Sequence, residues 1–164
     1  EAMHTGHSVF STVHADSAAE TISRLINPPL DIPANLLKAV NLNVVMFRDR
    51  RKGIRKVVQV AEFETDGNNV RANILYRWSP EQDKVLKHSD SSRFYEEIGR
   101  NTGMSKKEID TYLSEKKQIL SWLIKHQIRK LEDIGKALNV YYTNKEVLFD
   151  AMHQDNLSLI FKDK

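Results

Sequence analysis

Residues 5–16 read TGHSVFSTVHAD, and the fold turns on what is made of them. From His7 to His14 the run is short, apolar and β-branched, the pattern of a strand buried on both faces of a parallel sheet. Such a strand must pair its backbone with neighbours, on both sides if it is central. Here it starts at about the eighth residue, so the upstream βα units that would flank it are not in the sequence. The expectation is therefore a C-terminal piece of a longer protein.

Working outward, SAAE (residues 17–20) sets Ser17 and Glu20 at capping-box spacing. Ile22, Leu25 and Ile26 then line one helical face until NPP ends it. DIPANLLKAV reads as a second short helix with Pro33 near its first turn. Three strand-like segments follow, LNVVMFR, IRKVVQVAEFE and VRANILYRWS, joined by the turn-rich DRRKG and DGNN. In the last strand Val70, Ala72, Ile74, Tyr76 and Trp78 alternate with Arg71, Asn73, Leu75 and Arg77, which predicts one core face and one wetter face.

From about Ser91 the period changes to that of helices. SKKE (residues 105–108) is a second capping box, continued by Ile109, Leu113, Leu120 and Leu123 with Trp122 on a flank. Leu131, Ile134 and Leu138 mark another helix, and TNKE (residues 143–146) predicts a third box that opens a helix with Val147, Leu148 and Met152. Gly103 suits a helix stop. The expected division is residues 1–90, with histidines and strands, and residues 91–164, a helical tail.

The 164 residues carry 25 Lys and Arg against 22 Asp and Glu, a net charge of +3, which makes no case for nucleic acid. Without cysteine there is neither a disulfide framework nor a thiolate metal site. Apolar runs such as LNVVMF are far shorter than the roughly 20 residues that span a bilayer, and no signal-peptide layout is present.

The stretch TGHSVFSTVHADSAAETISRLINPPLDIPANLL resembles the histidine-box region of the secretion ATPase superfamily, which drives type II secretion, type IV pilus assembly and the archaellum. The box runs T-G-H, four residues, T, one residue, H-A, and Thr5, Gly6, His7, Thr12, His14 and Ala15 fit it. NPPLDIP and LYRWSPEQDKVL resemble the archaeal branch, and the lack of cysteine agrees, since many bacterial members carry a four-cysteine zinc motif. The resemblance extends to about Ser89, continues through the helical tail to about Tyr142, and fades beyond it.

That resemblance implies an α/β fold, the C-terminal portion of a RecA-like P-loop ATPase domain followed by a helical tail. It implies ATP and Mg2+ in the intact protein, a hexameric ring of identical subunits, and a cytoplasmic location docked on a membrane platform protein. It assigns His7 and His14 to sensing the terminal phosphate or positioning water, with Thr12 in support. Thr5 and Gly6 of the box are candidate nucleotide contacts, and so are Arg50, Arg51 and Arg55, because arginines near this region in the family can face nucleotide across a subunit boundary. No G-x-x-x-x-G-K-S/T phosphate loop occurs in the sequence, so the piece alone is expected neither to bind a cofactor nor to hydrolyse ATP.

Simpler readings stand beside these. The basic stretch of residues 48–56 is also what a solvated hairpin looks like. His4, His7 and His14 lack a fourth ligand for zinc, so no metal site is expected. His88, His126 and His153 read as surface residues. Residues 91–124 could be taken for a helix-turn-helix, but apolar residues stand where base-reading side chains should be. The alternative to a motor part is a non-enzymatic protein-interaction module, which an exposed apolar strip on the tail would favour.

Overall fold

A computed structural model describes Met3 and residues 7–161. The chain divides into two compact units, Glu1–Phe94 and Tyr95–Lys164. In the first, Ser17 caps α1 (Ala18–Ile26) by accepting from the Glu20 N–H at 3.0 Å. The Glu20 carboxylate reaches back to the Asp16 N–H at 2.7 Å, one residue beyond the cap. A short 3-10 helix, Ala34–Ala39, takes the place of the expected second helix, with Pro33 at its start.

Four strands follow: β1 (Asn43–Asp49), β2 (Ile54–Asp66), β3 (Asn69–Ser79) and β4 (Lys84–Lys87). They form one sheet in the order β1-β2-β3-β4 with every pairing antiparallel. Short turns permit nothing else, since parallel neighbours need a long crossover. Asp49 Oδ1 accepts from the Arg51 and Lys52 N–H groups, and Gly53, at φ 65°, supplies the left-handed step that closes the first hairpin. The core of this unit is Ala18, Ile22, Leu37, Val45, Ala61 and Phe63, where α1 and the 3-10 helix cover one face of the sheet.

Three expectations are corrected here. Residues 7–15 form no strand; they lack regular structure and Phe10 is 98% exposed. The sheet satisfies its own ladders through consecutive hairpins, and among the described residues none pairs with this segment. The sheet is accordingly antiparallel, not parallel. The simple alternation in β3 also breaks. An irregularity between Val60 and Ala61, opposite Ile74 and Tyr76, turns Leu75 inward and leaves Tyr76 exposed.

The other sheet face carries a buried acid. Glu62 is 3% exposed, and its carboxylate accepts from Ser91 Oγ at 2.6 Å, the Ser92 N–H at 2.6 Å, Ser92 Oγ at 2.9 Å and Asn73 Nδ2 at 2.9 Å. Burial pushes this carboxyl up, but the donors, led by Ser91 and the Ser92 backbone, outweigh it and hold it below the ordinary value. Arg93 extends the clasp by donating to the carbonyls of Phe63 at 3.0 Å and Lys38 at 2.8 Å.

The helical unit contains α2 (Phe94–Thr102), α3 (Lys106–Lys125), α4 (Leu131–Thr143) and α5 (Lys145–His153), then a 3-10 turn, Leu157–Leu159. Gly103, at φ 75°, ends α2 with its N–H on the Gly99 carbonyl. The Ser105–Glu108 box opens α3 as its spacing predicts. The third box does not form: Thr143 stays in α4 with its hydroxyl on the Asn139 carbonyl, and Asn144 caps α5 instead. Ile119, Trp122, Leu123, Ile128, Ala137, Tyr141, Leu148, Ala151 and Phe161 make the core. Beside it, Glu115 accepts from Tyr141 Oη at 2.7 Å and pairs with Lys145, tying α3 to α4 and α5.

Glu62→Ala should cost about 1–2 kcal/mol in urea denaturation, because it removes the acceptor that Asn73, Ser91 and the exposed Ser92 share. The folded carboxyl titrates below the unfolded one, so its contribution is present above the unfolded value of about 4.3 and is lost as pH falls through the folded value. Glu62→Gln should lower stability at neutral pH and flatten the decline on acidification.

Candidate functional site

The residues of the histidine box occupy the segment that leads into α1. His7, Thr12 and His14 all lie on its exposed, irregular backbone. Thr5 and Gly6 lie outside the described residues. Among the described residues, the His14 imidazole and the Thr12 hydroxyl have no hydrogen-bond partner, so both face outward with their chemistry uncommitted.

The end of the segment, by contrast, is anchored. The Ala18 N–H donates to Gln59 Oε1 of β2 at 3.1 Å, and Thr21 Oγ1 donates to the Ser17 carbonyl at 2.9 Å. The Asp16 N–H and then Arg24 hold the Glu20 carboxyl below its ordinary value. His14 is thus three residues from the Ser17 cap of a helix start that β2 fixes in place, and His7 lies seven residues before His14 on the same exposed segment. An open cavity of about 550 Å3 lies beside this junction, lined by Ser17, Ile22, Gln59, Ala72, Ile74 and Arg77.

The predicted arginines gather at a different point. Arg50 and Arg51 sit in the β1–β2 turn, and Arg55 is on β2 directly across from Arg48. Among the described residues Arg50, Arg51 and Arg55 have no carboxylate partner. Two like charges opposed in a ladder cost stability. The turn itself is closed by Asp49 and Gly53 and needs none of these guanidinium groups.

Among the described residues no group of three or more His, Asp or Glu side chains converges as a metal site. His126, read from sequence as a surface residue, is instead engaged. Its ring nitrogen Nε2 lies 2.7 Å from Asp155 Oδ1, which also accepts from Trp122 Nε1 at 3.0 Å, while Lys125 donates to Oδ2 at 2.6 Å. Those donors, Lys125 first, hold the Asp155 carboxyl far below its ordinary value. The cluster joins the end of α3 to the turn after α5. Sequence reading missed it because Asp155 lies 29 residues away.

Comparison with known proteins takes in the histidine segment and the first three strands to residue 77. Residues 1–77 match the family model described as type II/IV secretion system protein. The match supports the secretion ATPase superfamily. Two uncharacterized proteins of Methanocaldococcus jannaschii are similar along most of the chain. One is 32% identical over 86% of this chain and 20% of its own length, and the other 33% identical over 87% and 27%. The type IV pilus assembly ATPase PilB of Pseudomonas aeruginosa is 54% identical over 53 residues, which are 32% of this chain and 9% of PilB. The chain thus spans about a fifth to a quarter of those two archaeal relatives.

Arg55→Glu should turn the repulsion across from Arg48 into an attraction and raise stability by about 0.5 kcal/mol at low ionic strength. The gain should fade in high salt, measured as a change in the urea midpoint.

Proposed function

We propose that this chain is the histidine-box portion of an archaeal-type motor ATPase that couples ATP hydrolysis to protein secretion or to assembly of a pilus or archaellum. The observation that carries the reading is the family match across residues 1–77, which takes in His7, Thr12 and His14 and all three candidate arginines. The identity to PilB over 53 residues supports it independently. The phosphate-binding loop, absent from this sequence, would come from the rest of a RecA-like domain, and the piece alone would not turn over ATP.

Phosphoryl transfer asks the protein for charge stabilisation and a positioned water rather than covalent chemistry. A neutral imidazole can accept a proton from water or donate a hydrogen bond to a phosphate oxygen. His14, close to the fixed start of α1, is the better placed to hold a water in one position. His7, seven residues before His14 on the same exposed segment, suits a contact that forms with the terminal phosphate and is lost on its release, with Thr12 in support. Loss of that contact would change how the segment sits on the capped start of α1, which is a route from hydrolysis to motion. Arg50, Arg51 and Arg55 present unpaired positive charge of the kind that meets the nucleotide of an adjacent subunit in a closed ring. A hexamer, a membrane platform protein as partner and a cytoplasmic location complete the proposal. No helix among the described residues is long and apolar enough to cross a membrane.

In the complete ATPase, His14→Ala should lower kcat about a hundredfold while leaving nucleotide affinity within about threefold. Equal losses in turnover and binding would remove the water-positioning role. Arg51→Ala in one subunit population, mixed with His14→Ala subunits, tests the contact across the boundary by recovery of activity in mixed rings.

A further inference from the structure

The open cavity of about 550 Å3 lies between the start of α1 and strand β3, and all of its lining belongs to the sheet unit. Its floor is apolar. Ile22 is part of the core, and Val70, Ala72 and Ile74 pack against that core while remaining partly exposed. Small-ligand sites have this size and this kind of floor, with a few polar groups to orient what they hold.

One of those polar groups arrives through the irregularity in the sheet. Simple alternation along β3 puts Arg77 on the face of Arg71 and Asn73, away from Ile74. The extra residue opposite Val60 and Ala61 reverses this and sets Arg77 directly across from Gln59, whose side chain reaches α1. Arg77 therefore lines the cavity on the α1 side of the sheet. Among the described residues it has no carboxylate partner.

The other polar groups have their acceptors engaged and their donors spare. Gln59 Oε1 accepts from the Ala18 N–H, and Ser17 Oγ accepts from the Glu20 N–H. Among the described residues, neither the Gln59 Nε2 hydrogens nor the Ser17 hydroxyl hydrogen has an acceptor. Two nearby acids are each met by a full positive charge, Glu20 by Arg24 and Glu64 by Arg71, both at 2.7 Å. Asp16, one residue before Ser17, keeps its charge but does not line the cavity. The lining thus offers one uncompensated guanidinium and several donors over an apolar floor. A cation would be repelled, and a bare inorganic anion would leave the floor wet.

We propose that this cavity binds a small amphipathic anion, an apolar body carrying one carboxylate or phosphate, with the oxyanion on Arg77, Gln59 and Ser17 and the body on Ile22, Ala72 and Ile74. The guanidinium fork suits either oxyanion, because both accept two parallel N–H bonds. The inference does not depend on the nucleotide chemistry proposed for the histidine segment.

The test titrates phenyl phosphate and 3-phenylpropionate separately into the nitrogen-15-labelled chain and follows the amide resonances. Both should give saturable shifts at the Gln59 side-chain amide and the Ser17 and Ala18 backbone, and the tighter of the two names the preferred oxyanion. Inorganic phosphate, benzyl alcohol and phenethylamine should each bind at least about tenfold more weakly. Arg77→Gln should weaken both anions about tenfold, and Arg77→Lys should recover part of the loss. Asp16→Asn should tighten both about twofold by removing a nearby like charge. Ala72→Leu, which fills the floor, should weaken the organic anions, and circular dichroism should show every variant folded.

Absence of saturable shifts, shifts confined to other parts of the chain, or indifference to Arg77→Gln would overturn the proposal. Inorganic phosphate binding as tightly as phenyl phosphate would reduce the site to a bare charge, and benzyl alcohol binding as tightly would reduce it to an apolar cleft; either result also overturns it.

Discussion

The sheet unit depends on one buried carboxylate. Glu62 sits on β2 with only 3% of its surface exposed, where an acid without partners would be protonated or would weaken the strand. Four donors from Asn73, Ser91 and Ser92 keep it ionised and in doing so fasten the segment after β4 to the sheet. Arg93 then reaches two carbonyls, one of them on the 3-10 helix, so the clasp spans β2, β3, the 3-10 helix and residues 89–93. Hydrophobic burial on the opposite face, around Phe63 and Ile22, supplies affinity between layers but little direction. The carboxylate and its donors supply the direction, because each hydrogen bond is satisfied in one arrangement only.

With the sheet closed in this way, the remaining chemistry is displayed on its surroundings. Gln59 of β2 holds the start of α1, and α1 in turn fixes the end of the histidine segment. The β1–β2 hairpin carries its arginines at a turn whose closure does not need them. Both features keep polar groups uncommitted at some cost in stability, which is how proteins commonly treat surfaces that act on something else. The family match covers both features within one continuous stretch.

Local signals were legible in the sequence wherever a short-range bond decides the structure. Ser17, the Ser105–Glu108 box, Gly103 and the Asp49–Gly53 turn all behave as their spacing predicts. Where partners lie far along the chain, the sequence was silent or misleading. The apolar run from His7 to His14 has strand composition, yet composition cannot provide a ladder partner. The bulge beside Leu75 follows from register with β2, and β4 is too short to announce itself. Thr143 looked like a cap because Asn144, the residue that caps, stands next to it. The clue to Glu62 was present as an acid inside the apolar run VVQVAEF, with SDSS downstream supplying donors, but nothing local joins the two. The histidines and arginines were singled out through the family resemblance, whereas which leucines of α3 the core leaves uncovered is not written in their spacing.

The central claim is that these residues complete an ATPase whose phosphate loop lies elsewhere in the same polypeptide. The most direct measurement is to read the coding DNA upstream of Glu1. An in-frame G-x-x-x-x-G-K-S/T loop followed by an acidic segment at the end of a strand is the expected result. A stop codon close upstream, or an in-frame sequence with no phosphate loop, would contradict it and leave the interaction-module reading in its place.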